Sequence, residues 1–183
     1  MNGRSTRDTD VDETAKVTLR DGRTVSVRRL TSADAAELGE AIRHADAGTL
    51  HGRFCGPPPK VTPRLLEHLT ELDFHRRYAL VARDPDGHGV AVARYEATQD
   101  PGVAEIAVAV DPRWRRAGVA SALIRRLAVA ALRNGFDRFT VTYLADNRPV
   151  ADLLDETHVK RVISQGIAEA TVPLEQSPER TER

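Results

Sequence analysis

The run from Ile106 to Val110, cut off by Asp111 and Pro112 and followed by Gly118 and a long amphipathic stretch, limits the fold more than any other part of the chain. Ile106, Val108 and Val110 are β-branched, and the segment is short and apolar, as a buried strand is; the proline after it ends the ladder. Past the turn, Val119, Leu123, Leu127 and Ala130 recur at helical spacing. Ala120, Ile124 and Ala131 run alongside, while Arg125, Arg126 and Arg133 fall elsewhere. This predicts a helix with one core-facing stripe. Asn134 and Gly135 end it, the glycine supplying a left-handed cap and Phe136 the apolar contact beyond.

A strand, a turn with small residues and a helix start form a place where backbone N–H groups lie bare. The first helical turn has donors without intrahelical acceptors and the positive end of the dipole, so an anion is favoured there. Gly118 and Ala120 leave room for a pyrophosphate against the main chain, and Arg113, Arg115 and Arg116 add positive charge. The pattern is neither a Walker A loop nor the dinucleotide glycine fingerprint. On spacing alone, a plain strand-turn-helix corner with solvated arginines explains it equally well.

Composition narrows the classes. A chain of 183 residues is expected to be one domain with a proper core. Its 27 basic and 27 acidic residues cancel, which argues against a nucleic-acid partner held by bulk charge. The single cysteine, Cys55, excludes an intrachain disulfide, and the histidines His44, His51, His68, His75 and His88 show no metal-ligand spacing, so no metal is expected. No apolar run approaches the ~20 residues that span a bilayer, and residues 1–14 lack a hydrophobic signal core; the expectation is a cytoplasmic protein without a membrane partner. Residues 1–15 and 176–183 are charged and apolar-poor and read as disordered tails around a single domain, 16–175.

Along that domain, Val17–Arg20, Asp21 and Gly22, then Thr24–Arg28 form a hairpin signal. Thr31–Asp34 is a helix start, with Ala36, Leu38, Ala41, Ile42 and Ala45 as its predicted buried stripe. Three prolines, 57–59, forbid helix, and Thr62 with Pro63 then opens a second helix with Leu65, Leu66 and Leu69 inward. Tyr78–Arg83 and Val90–Ala97 read as paired strands, Ala104–Val110 as the core strand and Arg138–Leu144 as the strand after the long helix. A short helix spans Asn147 to about Glu156, and Val159–Ile163 and Ile167–Leu174 are the closing strands. With the hairpin written as its first strand, the order is βααβββαβαββ, an α+β layering: a central mixed, mostly antiparallel sheet flanked by helices.

Arg115-x-x-Gly118-x-Ala120, after a strand ending in Val110, Asp111 and Pro112, resembles the acyl-CoA pyrophosphate loop of the GNAT N-acetyltransferase superfamily. The likeness runs from about Thr18 to about Leu174 and includes the element order. Within the superfamily, Leu19–Val25, Arg53 with Phe54, Leu69 with Thr70 before Asp73 and Phe74, Tyr78–Ala82, Ala104 with Glu105, and Leu144–Arg148 are similar to the Pat-type protein lysine acetyltransferase domain. The regulatory or synthetase module fused to many such domains is not in this sequence.

The resemblance implies acetyl-CoA as co-substrate and direct transfer to a primary amine. The acceptor is preferentially a protein lysine, with a small-molecule amine as the alternative and a non-catalytic acyl-CoA-binding regulator as the reading from another class. A homodimer is left open. The attacking amine must be neutral, whereas a lysine amine has a pKa near 10.4, so a base is required. The resemblance places the catalytic glutamate at Glu105; an ordinary strand-edge glutamate is the plain alternative. It gives the main chain of Val108, Ala109 and Val110 to the pantetheine arm and the thioester oxygen. It gives the loop Arg115, Arg116, Ala117, Gly118, Val119, Ala120 and Ser121 to the pyrophosphate. Asn147 matches a cofactor-arm ligand and equally a helix N-cap. Leu154 departs from the pattern, because many relatives carry there a tyrosine that protonates the leaving thiolate. Water, the spent amine proton or His158 would have to substitute. Trp114 is read as an anchor of the turn and Cys55 as a packed residue.

Overall fold

The computed structural model describes residues 14–45, 59–155, 159 and 161–174. The expectations for residues 1–13 and 176–183, for Arg53–Pro58 with Cys55, for His51 and for His158 lie outside them; Ala15, expected in the N-terminal tail, is instead the first residue of β1, paired with Val27.

The strands are β1 (Ala15–Thr18), β2 (Thr24–Arg29), β3 (Arg77–Arg83), β4 (Gly89–Ala97), β5 (Val103–Val110), β6 (Arg138–Leu144), β7 (Arg161–Ser164) and β8 (Ile167–Pro173). The helices are α1 (Ala35–His44), α2 (Pro63–Thr70), α3 (Val119–Arg133) and α4 (Arg148–Asp155). One sheet holds the strands in the order β1-β2-β3-β4-β5-β6-β8-β7. Every neighbouring pair is antiparallel except β5 and β6. The expected α+β mixed sheet is therefore present, with β6 where the sequence placed it and the neighbouring strands within a residue or two. No helix among the described residues is long and apolar enough to cross a membrane.

Side-chain alternation assigns the two faces of the sheet. Val25, Val27, Tyr78, Leu80, Ala104, Ile106 and Phe139 form one core with Val119, Leu123, Leu127, Ala130 and Ala131 of α3. On the same face α4 packs Val150, Ala151 and Leu154 against Tyr143, Ala168 and Ala170. The opposite face carries Leu30, Ala79, Val81 and Val92 under Leu38 and Leu72. The α3 stripe matches its helical spacing. In α1 the expected stripe is only half present: Ala36 and Ala41 are exposed and the buried residue is Gly39. Leu66 of α2 lies 3.2 Å from where a Gly39 side chain would begin, so α1 meets α2 through a missing side chain rather than an apolar one.

Helix ends follow local chemistry. Thr62 Oγ1 accepts from Leu65 N at 3.2 Å, with Pro63 at the first helical position. After α3, Phe136 N donates to Ala131 O and Gly135 N to Leu132 O, with Gly135 at φ 85, the two-bond Schellman closure. Asn134 adds a tertiary tie, Nδ2 donating to Phe74 O at 2.9 Å and to Tyr95 Oη at 2.7 Å. Tyr95 Oη donates in turn to His75 O at 3.0 Å, and burial pushes its phenol up to about 12. Phe74 sits at φ 54 inside this arrangement. Asn134→Ala strips Phe74 O of a buried donor and is expected to cost about 1–3 kcal/mol. Chemical denaturation reads this as a lower midpoint with an unchanged slope.

Asp34 joins the helical layer to the sheet. Its carboxylate accepts Arg28 Nη1 and Nη2 at 2.8 and 2.7 Å, Arg83 Nη2 at 2.7 Å and Thr31 N at 2.9 Å. Arg83 Nη2 also reaches Glu37 Oε2 at 2.5 Å, and Glu37 Oε1 accepts Gly89 N at 2.7 Å. The sequence marks Asp34 as part of a helix start. The structure makes it the centre of a buried ion network.

Candidate functional site

β5 pairs with β4 along its whole length, from Val110 opposite Ala91 to Ala104 opposite Ala97. It pairs with β6 only from Val103 to Glu105, opposite Arg138 to Thr140. Beyond that point β6 continues against β8 and no pair joins it to β5. The two central strands thus part in a V whose vertex lies at Glu105 and Thr140.

Main-chain alternation shows which groups face the opening. Asp111 N donates to Val90 O and Thr98 N to Val103 O, so the odd-numbered residues of β5 turn their N–H and C=O groups toward β4. The even-numbered ones, Val108 and Val110 among them, turn theirs toward β6, where the ladder has ended. Their side chains join the core under α3, as expected of core valines. Ala109 directs its main chain at β4 and so offers the opening no backbone donor. In the expected set of Val108, Ala109 and Val110, the register separates Ala109 from the other two.

Glu105 is exposed, with its side chain on the face opposite α3. Its cross-strand partner is Glu96. Like charges directly opposite on a sheet are unfavourable, and here Glu96 has His68 Nε2 of α2 at 3.3 Å and the Arg94 guanidinium, Nη2 at 3.8 Å, beside it. Arg94 is itself buried. Sequence reading missed Glu96, His68 and Arg94. The signal for Glu96 was available: a hairpin turning at Asp100 and Pro101 brings residue 96 opposite residue 105. Arg77 donates from Nη1 to His68 O at 3.2 Å and holds α2 beside this patch.

At the other end of β5, Asp111 caps a short 3-10 turn, Pro112–Trp114, by accepting Arg113 N at 2.8 Å. The same carboxylate takes the Arg113 guanidinium, Nε at 3.1 Å and Nη2 at 2.9 Å, and that bond holds the Asp111 carboxyl below its usual range. Arg113 is thereby neutralised locally; Arg115 and Arg116 are exposed on the same loop. Arg116 has φ 61 and Gly118 φ 92. The first helical bond runs from Ala122 N to Gly118 O, and Gly118 provides no side-chain cap. Val119, Ala120 and Ser121 therefore have N–H groups without intrahelical acceptors, aimed out of the N-terminal end of α3. Gly118 is favoured for its left-handed backbone, and a Cβ there would also lie 3.3 Å from Cγ of the exposed Arg20 side chain. Ala117 is buried and serves the core, while its carbonyl accepts Arg20 N at 3.0 Å. This is a cradle suited to phosphate oxygens.

Trp114 lies under the Arg23 guanidinium, 4.1 Å from its ring centroid, and packs on the core, which fits the role of turn anchor. Asn147 O accepts the first bonds of α4 from Val150 N and Ala151 N, which puts the residue at the start of that helix. Leu154 is buried against Tyr143 and has no proton to offer. His88, read as isolated, stands with Asp84 and Asp86 on the β3–β4 turn with ligand-type atoms within 4.8 Å; Asp84 there accepts His88 N at 2.8 Å and closes the turn.

Known proteins match this geometry. The family model described as the acetyltransferase (GNAT) family matches residues 49–157. The chain is 33% identical over 138 residues to an acetyltransferase of Pseudomonas aeruginosa, covering 74% of each. The GNAT domain of S. lividans PAT superposes with a TM-score of 0.80 at 28% identity, over 88% of this chain and 97% of that one. A phosphinothricin acetyltransferase of Sinorhizobium meliloti, solved in complex with acetyl-CoA, shares the fold at a TM-score of 0.67 and 17% identity, over 82% and 88% of the two chains. A splayed central sheet, an uncapped helix start beside it and sequence kinship over most of the length agree: the chain belongs to the acetyltransferase (GNAT) family, whose enzymes draw on acetyl-CoA.

Proposed function

We infer that the chain moves the acetyl group of acetyl-CoA directly to a primary amine, preferentially a lysine side chain on a protein. The observation that carries this reading is the placement of Glu105, an exposed carboxylate at the vertex of the β5–β6 opening, on the face away from α3. Acetyl-CoA supplies an activated thioester when bound. The N–H groups of Val119, Ala120 and Ser121, with Arg115 and Arg116, hold its pyrophosphate, and the main chain of Val108 and Val110 pairs with its arm. A β5 N–H facing the opening stabilises negative charge developing on the thioester oxygen. Glu105 takes the proton from the incoming ammonium, directly or through a water. Leu154 donates no proton, so the departing thiolate takes one from water or from the amine.

The preference for a protein lysine rests on the Pat-type motifs and the likeness to the S. lividans PAT domain. Acyl transfer from acetyl-CoA, measured over a panel of purified proteins and small amines, tests it. Turnover on small amines alone would move the acceptor class, and no turnover on any amine would leave only a binding protein.

Gly118→Leu tests the cradle. Acetyl-CoA is expected to raise the thermal midpoint of the parent by binding the folded state. In the variant that rise disappears, with an intrinsic loss of about 1–2 kcal/mol from the left-handed backbone. Equal binding by parent and variant would remove the loop from the site.

A further inference from the structure

We propose that Arg20, on the turn between β1 and β2, is a further phosphate-binding residue of the acyl-CoA cradle, gripping the pyrophosphate from the hairpin side; this rests on the acetyl-CoA reading above. Nearly a hundred residues of sequence separate Arg20 from Gly118, and nothing in the loop pattern points to it. The fold brings them together. Arg20 N donates to Ala117 O at 3.0 Å. Its side chain runs across Gly118, with Cγ, Cδ and Nε at 3.3, 3.5 and 3.7 Å from the position of a glycine Cβ. Nε of the guanidinium thus lies beside Gly118, the residue that precedes the first turn of α3.

The turn carrying Arg20 is anchored rather than loose. Leu19 is buried, Leu19 N donates to Arg23 O at 2.8 Å and Gly22 N to Leu19 O at 3.1 Å. Arg23 is held by Asp21, Nε to Oδ2 at 2.7 Å, and uses Nη1 to donate to Arg113 O at 3.1 Å while stacking over Trp114. The two arginines of the turn therefore divide the work. Arg23 fastens the hairpin to the cofactor loop; Arg20 is exposed and has no ion-pair partner among the described residues. A cation held in this way loses little freedom on meeting a phosphate, and Arg offers it two parallel donors. Arg113, nearer in sequence, is engaged by Asp111, so the hairpin supplies the charge that the loop itself has neutralised.

The test is calorimetric binding of CoA and of 3′-dephospho-CoA to the parent, Arg20→Ala, Arg20→Lys and Gly118→Leu. Arg20→Ala is expected to weaken both ligands by about tenfold, Arg20→Lys by less, with the unliganded thermal midpoint unchanged because the side chain is exposed. Parent-like binding by Arg20→Ala overturns the proposal, and if Gly118→Leu still loses CoA the cradle itself stands. A loss confined to CoA and absent with 3′-dephospho-CoA overturns it as well, since the contact would then be to the 3′-phosphate. A fall in the unliganded midpoint that accounts for the whole loss assigns Arg20 to the hairpin's packing instead. Parent-like binding by Gly118→Leu removes the cradle reading and Arg20 with it.

Discussion

Glu105→Gln lowers kcat at pH 7 by about 10²–10⁴-fold, the usual span for loss of a general base. Glutamine keeps the length and hydrogen-bonding reach of the side chain but accepts no proton at neutral pH. Acetyl-CoA affinity stays at the parent value, because the phosphate cradle lies at the other end of β5, beyond Val110. The deficit narrows as the pH rises toward the ordinary amine value near 10.4, where the acceptor needs no base. A water chain from the opening would place the loss at the low end of the span. Full activity at pH 7 with saturating substrates would make the protein a proximity catalyst that aligns thioester and amine and leaves the proton to solvent.

Asp34→Ala is expected to lower stability by about 3 kcal/mol, the low end for removing one partner of a buried ion network, since Arg28 is partly exposed. It leaves Arg28 and Arg83 facing each other without their shared carboxylate. In a chain of this size the thermal midpoint falls by roughly 6–12 °C. The Arg28 guanidinium, with Thr31 N–H and Arg83, holds the Asp34 carboxyl well below the usual range against the opposing effect of burial. The folded value being the depressed one, the stabilisation is complete above the unfolded value of about 3.9 and is lost as the pH falls from there through the folded value. Denaturation midpoints between pH 7 and pH 2 should drop steeply for the parent below about pH 4 and less for the variant. Identical acid limbs for the two proteins would show that Asp34 is not the linked group.

Local chemistry is what sequence carries. Helical spacing in Val119–Ala131, the left-handed cap at Gly135 with Phe136 beyond it, Thr62 before Pro63, and the strand ended by Pro112 each depend on residues within a turn or two, so they are legible without a fold. The core strand and its following loop were legible for the same reason. The stripe in α1 was misread because helical periodicity does not reveal which neighbour a face meets, and there the neighbour, Leu66, demands a glycine.

The candidate site divides along the same line. Gly118 and the bare first turn of α3 lie within one strand-turn-helix unit whose spacing is legible in the sequence, while Glu105 was singled out by the resemblance to the Pat-type domain. The V between β5 and β6, the main-chain direction that separates Ala109 from Val108 and Val110, the facing of Glu96 on Glu105, and the approach of Arg20 to Gly118 are consequences of strand register and packing. Sequence by itself determined the order of the elements, the helix ends and the chemistry available on the central strand, because each is set by nearest neighbours along the chain. Only the tertiary structure decided where that strand parts from β6, what faces Glu105 and which distant arginine reaches the loop, because residues brought together by pairing and close packing leave no mark in their spacing along the chain.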